Sequence, residues 1–367
     1  TTVEAFGEVL VLNTDTTAIT VNSFSVNTLQ QDAFYDNIVY TLPLITRLQL
    51  LNPLTNHIQS DTNLNVEVVS ETLASTWGIK IVLDEGGVNE QIVIDMVAPY
   101  QTIFNNVERS EHRIDCYIVD DLQNVQTGEE NHVSAINIAI GDIYVGLGDS
   151  ITFGYGDDLL NDNISLDGRN TGGGYTPLLN DYLTSVRGYP HSILNEGISG
   201  ETTQQGLTRL PSLLAGRTDS STFLILYGTN DLGIGSSLES GKGLNIGDFG
   251  YAGTYKDYLQ QMIDLIKDGG HKIAIAKLPF ALGESSTTGA YSDPVAEGFR
   301  NVKARDFNIV IDELIADPAN NIIVSAPDFY TYFSDISIYG VEYFDNLHPN
   351  GLGYEAMAAL WRDVLIP

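Results

Sequence analysis

Two residues far apart in the chain could share one reaction. Ser150 stands in the stretch from Ile143 to Gly156, IYVGLGDSITFGYG, directly after a short apolar run that ends in glycines. A serine hydroxyl is a poor nucleophile at neutral pH and needs a base to take its proton as it attacks a carbonyl carbon. Of the six histidines, His348 alone combines an acid three residues before it with a proline directly after it, in Asp345-Asn346-Leu347-His348-Pro349. At that spacing Asp345 can accept a hydrogen bond from the ring nitrogen facing away from Ser150, which fixes tautomer and orientation. Pro349 biases His348 towards an extended conformation and suits the first turn of the terminal helix. Each stretch alone has a plainer reading as well. Gly-Asp-Ser suits a strand-to-turn junction with Asp149 or Ser150 capping a helix, and the second stretch suits a helix cap with a surface histidine.

Two further stretches lie between these. Asn195 to Leu210 reads NEGISGETTQQGLTRL and Leu226 to Leu232 reads LYGTNDL; with DNLHPNG from Asp345 to Gly351 they make four blocks in order. The set resembles the SGNH (GDSL) hydrolase superfamily over roughly Gly141 to Pro367, and its second block is most similar to the bacterial thioesterase, lysophospholipase and arylesterase branch. The resemblance implies an α/β fold with a flavodoxin-like, five-stranded parallel sheet and flanking helices. It also implies a serine esterase that cleaves neutral, short-chain carboxylic esters through an acyl-Ser150 intermediate, with neither metal nor cofactor. Ser150, Asp345 and His348 would be the catalytic residues. The oxyanion formed on attack would face the backbone N–H of Ser150, that of Gly200 and the side-chain amide of Asn230. Read only as residue types, Gly200 and Asn230 are ordinary turn formers. Asp149 and Asp231, beside these positions, are expected to shape loops.

Long insertions after the first and third blocks depart from the compact thioesterases and leave the substrate open. Some two-domain members of the superfamily carry a β-sandwich ahead of the hydrolase domain, so a carbohydrate O-acetyl esterase is the alternative. An inert adhesion or binding protein is the reading from another class, and the intact Ser150, His348, Asp345, Gly200 and Asn230 count against it.

The whole chain restricts the partners. Its 48 acidic residues outnumber 17 basic ones, for a net charge of −31, and the excess is spread along the sequence. Such a surface repels nucleic acid and anionic membrane, whereas a small neutral or carbohydrate ester is accepted more easily. No apolar run reaches membrane-spanning length. The single cysteine, Cys116, excludes an internal disulfide and is expected to fill a strand. The first residues, TTVEAFGEVLVL, lack the basic segment of a signal peptide. The residues themselves leave the compartment open, and the resemblance favours an exported enzyme.

The elements that would position these groups change character near residue 140. Residues 1–139 read as strands and turns, with Glu8 to Leu12, Gly78 to Leu83, Gln91 to Met96, Ile114 to Val119 and His132 to Ile138 short and rich in Val and Ile. A β-sandwich is expected, immunoglobulin-like in its strand spacing, though no cysteine pair supports that label. Residues 140–367 alternate strands with helices. Strands are expected at Ile143 to Leu147, Ser192 to Asn195, Thr222 to Tyr227, Lys272 to Leu278 and Ile322 to Ser325. Helices fall between them, with Tyr255, Leu259, Met262, Ile263 and Ile266 on one stripe and Phe299, Val302, Val310 and Leu314 on another. Glycine-rich loops at 157–174, 233–253 and 281–293 follow strand ends on the ligand-binding side of such a sheet. Asp157, Asp158, Asp162 and Asp167 in the first do not match a calcium loop and are expected to be solvated.

Overall fold

A computed structural model describes residues 18–28, 31–41, 47–71, 73–159, 169, 172–233, 236–284, 291–293, 299–323, 326–338 and 341–366. Among the described residues, ten strands run through the first 140 positions: β1 (Ala18–Thr28), β2 (Gln31–Thr41), β3 (Leu48–Asn52), β4 (Ile58–Gln59), β5 (Leu64–Ser70), β6 (Gly78–Leu83), β7 (Gln91–Asp95), β8 (Tyr100–Phe104), β9 (Glu111–Val119) and β10 (His132–Ile140). The chain divides into two compact units, one of Thr1–Pro53, Asn65–Thr102 and Ile114–Ala135, the other of Leu54–Leu64, Ile103–Arg113 and Ile136–Pro367.

In the first unit the pairing is antiparallel. β1 and β2 form a hairpin from Thr28↔Gln31 out to Ala18↔Thr41. β3 pairs with β5, where Leu48, Leu50, Val66 and Val68 are buried and alternate with less buried neighbours, the period of two that a half-buried sheet requires. β6 lies between β7 and β9, with Ile81 opposite Val93 on one side and Cys116 on the other. Cys116 is buried and free, as a strand-filling thiol, and burial pushes it up to about 12. The expected strand Gly78 to Leu83 is β6, and three others match within a few residues, whereas Glu8 to Leu12 lies outside the described residues. β1 and β2 were not expected, because Asp and Asn interrupt QDAFYDNIVYT and lower its strand propensity.

The second unit is built on four parallel strands in the order β12-β11-β13-β14, with β11 at Asp142–Gly148, β12 at His191–Gly197, β13 at Thr222–Leu226 and β14 at Lys272–Ile275. All five residues of β13 are buried, as expected for a strand covered on both faces. The helices are α1 (Ser150–Phe153), α2 (Tyr175–Arg187), α3 (Thr203–Gly216), α4 (Tyr255–Asp268), α5 (Phe299–Ala316), α6 (Phe329–Phe333) and α7 (Gly351–Leu365). α2 packs on α7, while α4 packs on both α3 and α5. The stripe read along α4 is buried throughout.

Two expectations need correction. Four strands, not five, form the sheet among the described residues. Ile323 N–H donates to Ile273 C=O of β14 at 3.0 Å and Lys277 N–H, two residues past that strand, donates to Pro327 C=O at 3.1 Å, while residues 324 and 325 of the expected fifth strand lie outside the described residues. On α5, Val310 and Leu314 are buried as expected, but Val302 is 56 % exposed and Ala304, Phe307 and Ile311 complete the buried face.

Candidate active site

Parallel register brings the motif blocks to one edge. Gly148, the last residue of β11, pairs with Gly197 of β12 on one side and Leu226 of β13 on the other. Ser150, Gly200 and Asn230 follow those residues by two, three and four positions, so all three leave the carboxyl ends of adjacent strands, where an open α/β sheet binds its ligands.

At the first strand end both readings of Gly-Asp-Ser hold, on different residues. Asp149 caps α1, its Oδ1 accepting the Ile151 N–H at 3.0 Å, and Ser150 is the first helical residue. The Ser150 N–H therefore has no partner within the helix. The serine is 6 % exposed, and its Oγ lies 2.9 Å from His348 Nε2. His348 Nδ1 lies 2.9 Å from Asp345 Oδ2, which assigns the proton to Nδ1 in the neutral ring. Asp345 Oδ1 accepts the backbone N–H groups of Leu347 and His348, both at 2.7 Å. Burial would raise this carboxyl, but the hydrogen bonds from the His348 ring and from the two N–H groups outweigh it and hold it below the usual carboxylate range.

The loop carrying the histidine is closed on itself. Phe344 N–H donates to His348 C=O at 2.9 Å, and Asn350 rather than Pro349 caps α7, accepting the Gly353 N–H at 3.1 Å. Pro349 thus precedes the helix instead of occupying its first turn. The Tyr155 ring lies 4.6 Å from the imidazole and meets Phe344 edge-on at 5.7 Å.

Gly200 belongs to a tight turn, not to the start of α3. Glu201 N–H donates to Ile198 C=O at 3.1 Å, and Gly200 in the third position has φ of +81°, the geometry of a type II turn that glycine adopts without strain. Its own N–H takes no part in the turn's hydrogen bond and finds no partner among the described residues. Asn230 Nδ2 donates one of its two hydrogens to Glu201 C=O at 2.9 Å. Asp231 Oδ2 accepts both the N–H and the Oγ1–H of Thr203, at 2.9 and 2.7 Å, so it ties the start of α3 to the Asn230 turn. That is the loop-shaping role expected for it.

Behind the serine, Asp149 is fully buried, and burial pushes its carboxyl up to about 7 against the pull of the Ile151 N–H and His348. The Thr229 hydroxyl acts on it in the same downward direction, yet Oδ2 finds no hydrogen bond of ordinary geometry. The other histidines stand elsewhere; His112 and His191 are buried, and burial pushes His191 down to about 4. In the first glycine-rich loop Asp157 accepts the Gly174 and Leu159 N–H groups and Asp158 the Gly351 N–H; Asp162 and Asp167 lie outside the described residues. The cluster of Glu201, Arg209 and Tyr227 beside the site was not anticipated, because nothing local marks residues eight and 26 positions from Glu201 as its partners.

A family model for GDSL-like lipases and acylhydrolases matches residues 147–356, more than half of the chain and all five expected site residues. No curated protein matches the chain. Solved structures similar to it include a member of the lipolytic G-D-S-L family from Veillonella parvula, at 20 % identity and a TM-score of 0.41 over 61 % of this chain and 97 % of that one. A lipase/acylhydrolase from Enterococcus faecalis is similar at 20 % and 0.38, over 61 % and 94 %. An acetylxylan esterase from Geobacillus stearothermophilus is similar at 19 % and 0.39, over 60 % and 92 %. By the match of the family model, the chain belongs to the GDSL-like lipase/acylhydrolase family.

Proposed function

We propose that the protein is a serine esterase acting on neutral, short-chain carboxylic esters, with Ser150, His348 and Asp345 as its catalytic residues. The observation that carries this reading is the continuous relay from Ser150 Oγ through the His348 ring to Asp345, with 2.9 Å at each step. His348 Nε2 takes the hydroxyl proton as Oγ attacks the ester carbon, and Asp345 stabilises the imidazolium that forms. The oxyanion faces the N–H groups of Ser150 and Gly200 and the second N–H of the Asn230 amide, a stabilisation that is commonly the largest catalytic term. His348 returns its proton to the departing alcohol, and water cleaves the acyl-Ser150 ester by the same steps in reverse.

The strongly acidic surface supports a neutral substrate, because a carboxylate or phosphate ester would approach against repulsion. We further read residues 1–139 as a β-sandwich domain that supplies no catalytic group, since all five proposed site residues follow position 140. The test is a panel of acetyl, butyryl and octanoyl esters beside acetylated xylo-oligosaccharide, run with wild type and Ser150→Ala. Turnover of short neutral esters that disappears in the folded variant is expected. Persistent turnover in Ser150→Ala would overturn the assignment, and activity confined to the acetylated sugar would move the substrate to carbohydrate.

A further inference from the structure

A side-chain amide is useful to an oxyanion only if its nitrogen faces the oxyanion. The terminal torsion of Asn is broad and nearly two-fold, so nothing within the residue prefers N over O in that direction. At Asn230 the choice is made from outside: the Glu201 carbonyl accepts one N–H at 2.9 Å, which leaves the second N–H with a single direction. The placement of that carbonyl therefore governs the donor, and Glu201 is held unusually firmly.

Its carboxylate is 7 % exposed and receives Arg209 Nε at 2.9 and 3.0 Å on its two oxygens. The Tyr227 hydroxyl, on a side chain only 1 % exposed, donates to Glu201 Oε2. Arg209 Nη2 continues to the Tyr227 oxygen at 3.0 Å and to the Glu196 carbonyl of β12 at 2.5 Å. Burial and the Glu201 carboxylate both raise the Tyr227 phenol far above its ordinary value, so it stays a donor at any working pH. The cluster thus joins the end of β12, the Gly200 turn, α3 and the end of β13, three residues before Asn230. Gly206 makes room for it, since a Cβ there would stand 2.5 Å from the Tyr227 ring.

We propose that Glu201, Arg209 and Tyr227 are positioning residues that orient the Asn230 amide, and with it the Gly200 turn, towards the oxyanion. This rests on the reading of the site as an esterase centre. None of the three is proposed to touch the substrate. Loosening the cluster leaves every donor present but lets the Glu201 carbonyl drift, so the loss should appear in the chemical step.

The experiment uses the full chain with Glu201→Ala, Glu201→Gln and Arg209→Lys, each alone and combined with Asn230→Ala. Turnover of p-nitrophenyl butyrate, inhibition by a boronic acid that forms a tetrahedral adduct, and thermal midpoint are measured for each. Glu201→Ala is expected to lower kcat by more than tenfold with KM within about threefold, and to weaken the boronic acid in parallel. Glu201→Gln, which retains an acceptor for Arg209, should recover most of the loss. With Asn230 already removed, Glu201→Ala should cost less than about threefold, because residues that act through one another are not additive. Equal losses in both backgrounds, or a lower thermal midpoint with unchanged kcat, would overturn the proposal. The NMR signal of the Asn230 side-chain amide, assigned by its absence in Asn230→Ala, separates the two ideas. If wild type cleaves no ester yet that signal collapses towards the free-amide position in Glu201→Ala, the esterase reading fails and the positioning role stands. An unmoved signal sinks the positioning role whatever the activity.

Discussion

Within the relay, the consequences of substitution differ by role. Ser150→Ala and His348→Ala should each lower kcat by roughly four orders of magnitude or more, because nucleophile and base act as one unit; Asp345→Ala should leave more activity, since the acid orients and stabilises. Steady-state kinetics on a small ester checks this, and an Asp345 variant as dead as Ser150→Ala would contradict it. Asn230→Ala should lower kcat by about 10²- to 10³-fold with little change in KM, the signature of a donor used in the transition state. Asp149 makes a separate prediction about stability. Its folded pKa of about 7 exceeds that of an unfolded aspartate, about 3.9. Between those values the unfolded chain loses a proton that the folded protein keeps. Stability therefore falls as pH rises through this window, by up to about 4 kcal/mol, and the loss is complete above the folded value. Asp149→Asn cannot ionise, so its denaturant midpoint should match wild type near pH 4 and exceed it at pH 8. Asp345 has the opposite sign: its pKa is lowered, so its contribution is present above the unfolded pKa and disappears as pH falls through the folded one.

At the scale of elements, α3 is fixed to the site by Thr203 on Asp231, by Arg209 on Glu201 and by Gly206 against the Tyr227 ring. Replacing a helical glycine by alanine ordinarily stabilises by about 1 kcal/mol. Here the new Cβ would meet Tyr227 at 2.5 Å, and that ring cannot withdraw, being buried and held through its hydroxyl. Overpacking of this kind costs about 1–3 kcal/mol, so it outweighs the helix gain. Gly206→Ala is expected to lower the thermal midpoint, and a higher one would show that α3 can move away from β13.

Across the whole molecule, the unit that holds the site also includes Leu54–Leu64 and Ile103–Arg113. Arg109 of that second segment donates to Asp142 at 2.8 Å, and Glu111 pairs with the buried guanidinium of Arg169, which also donates to Asn137 C=O at 3.1 Å. A fragment of residues 140–367 would lack Arg109, Glu111 and Asn137 together. The fragment is therefore expected to unfold at markedly lower denaturant than the full chain, although it retains every proposed catalytic residue. Circular dichroism under denaturant titration checks this, and an equal midpoint would mean that the removed segments contribute nothing.

Much of this was legible in the residues alone, wherever the signal is local. The apolar run of β13, the stripe of α4 and the order of the four motif blocks are properties of short windows, and each reappears in the fold or in the family match. The pairing of His348 with Asp345 is of the same kind, because three residues separate them. What tertiary structure alone decided spans long separations or depends on packing. Ser150 meets His348 across 198 positions, and Glu201 meets Tyr227 across 26. Asp231 meets Thr203 across 28 positions, and Ile323 donates to Ile273 of β14. Val302 turns outward although its spacing fits a buried stripe. A window of sequence encodes periodicity and turn preference; which buried donor finds which acceptor is settled only when the strands align and bring distant segments to one edge of the sheet.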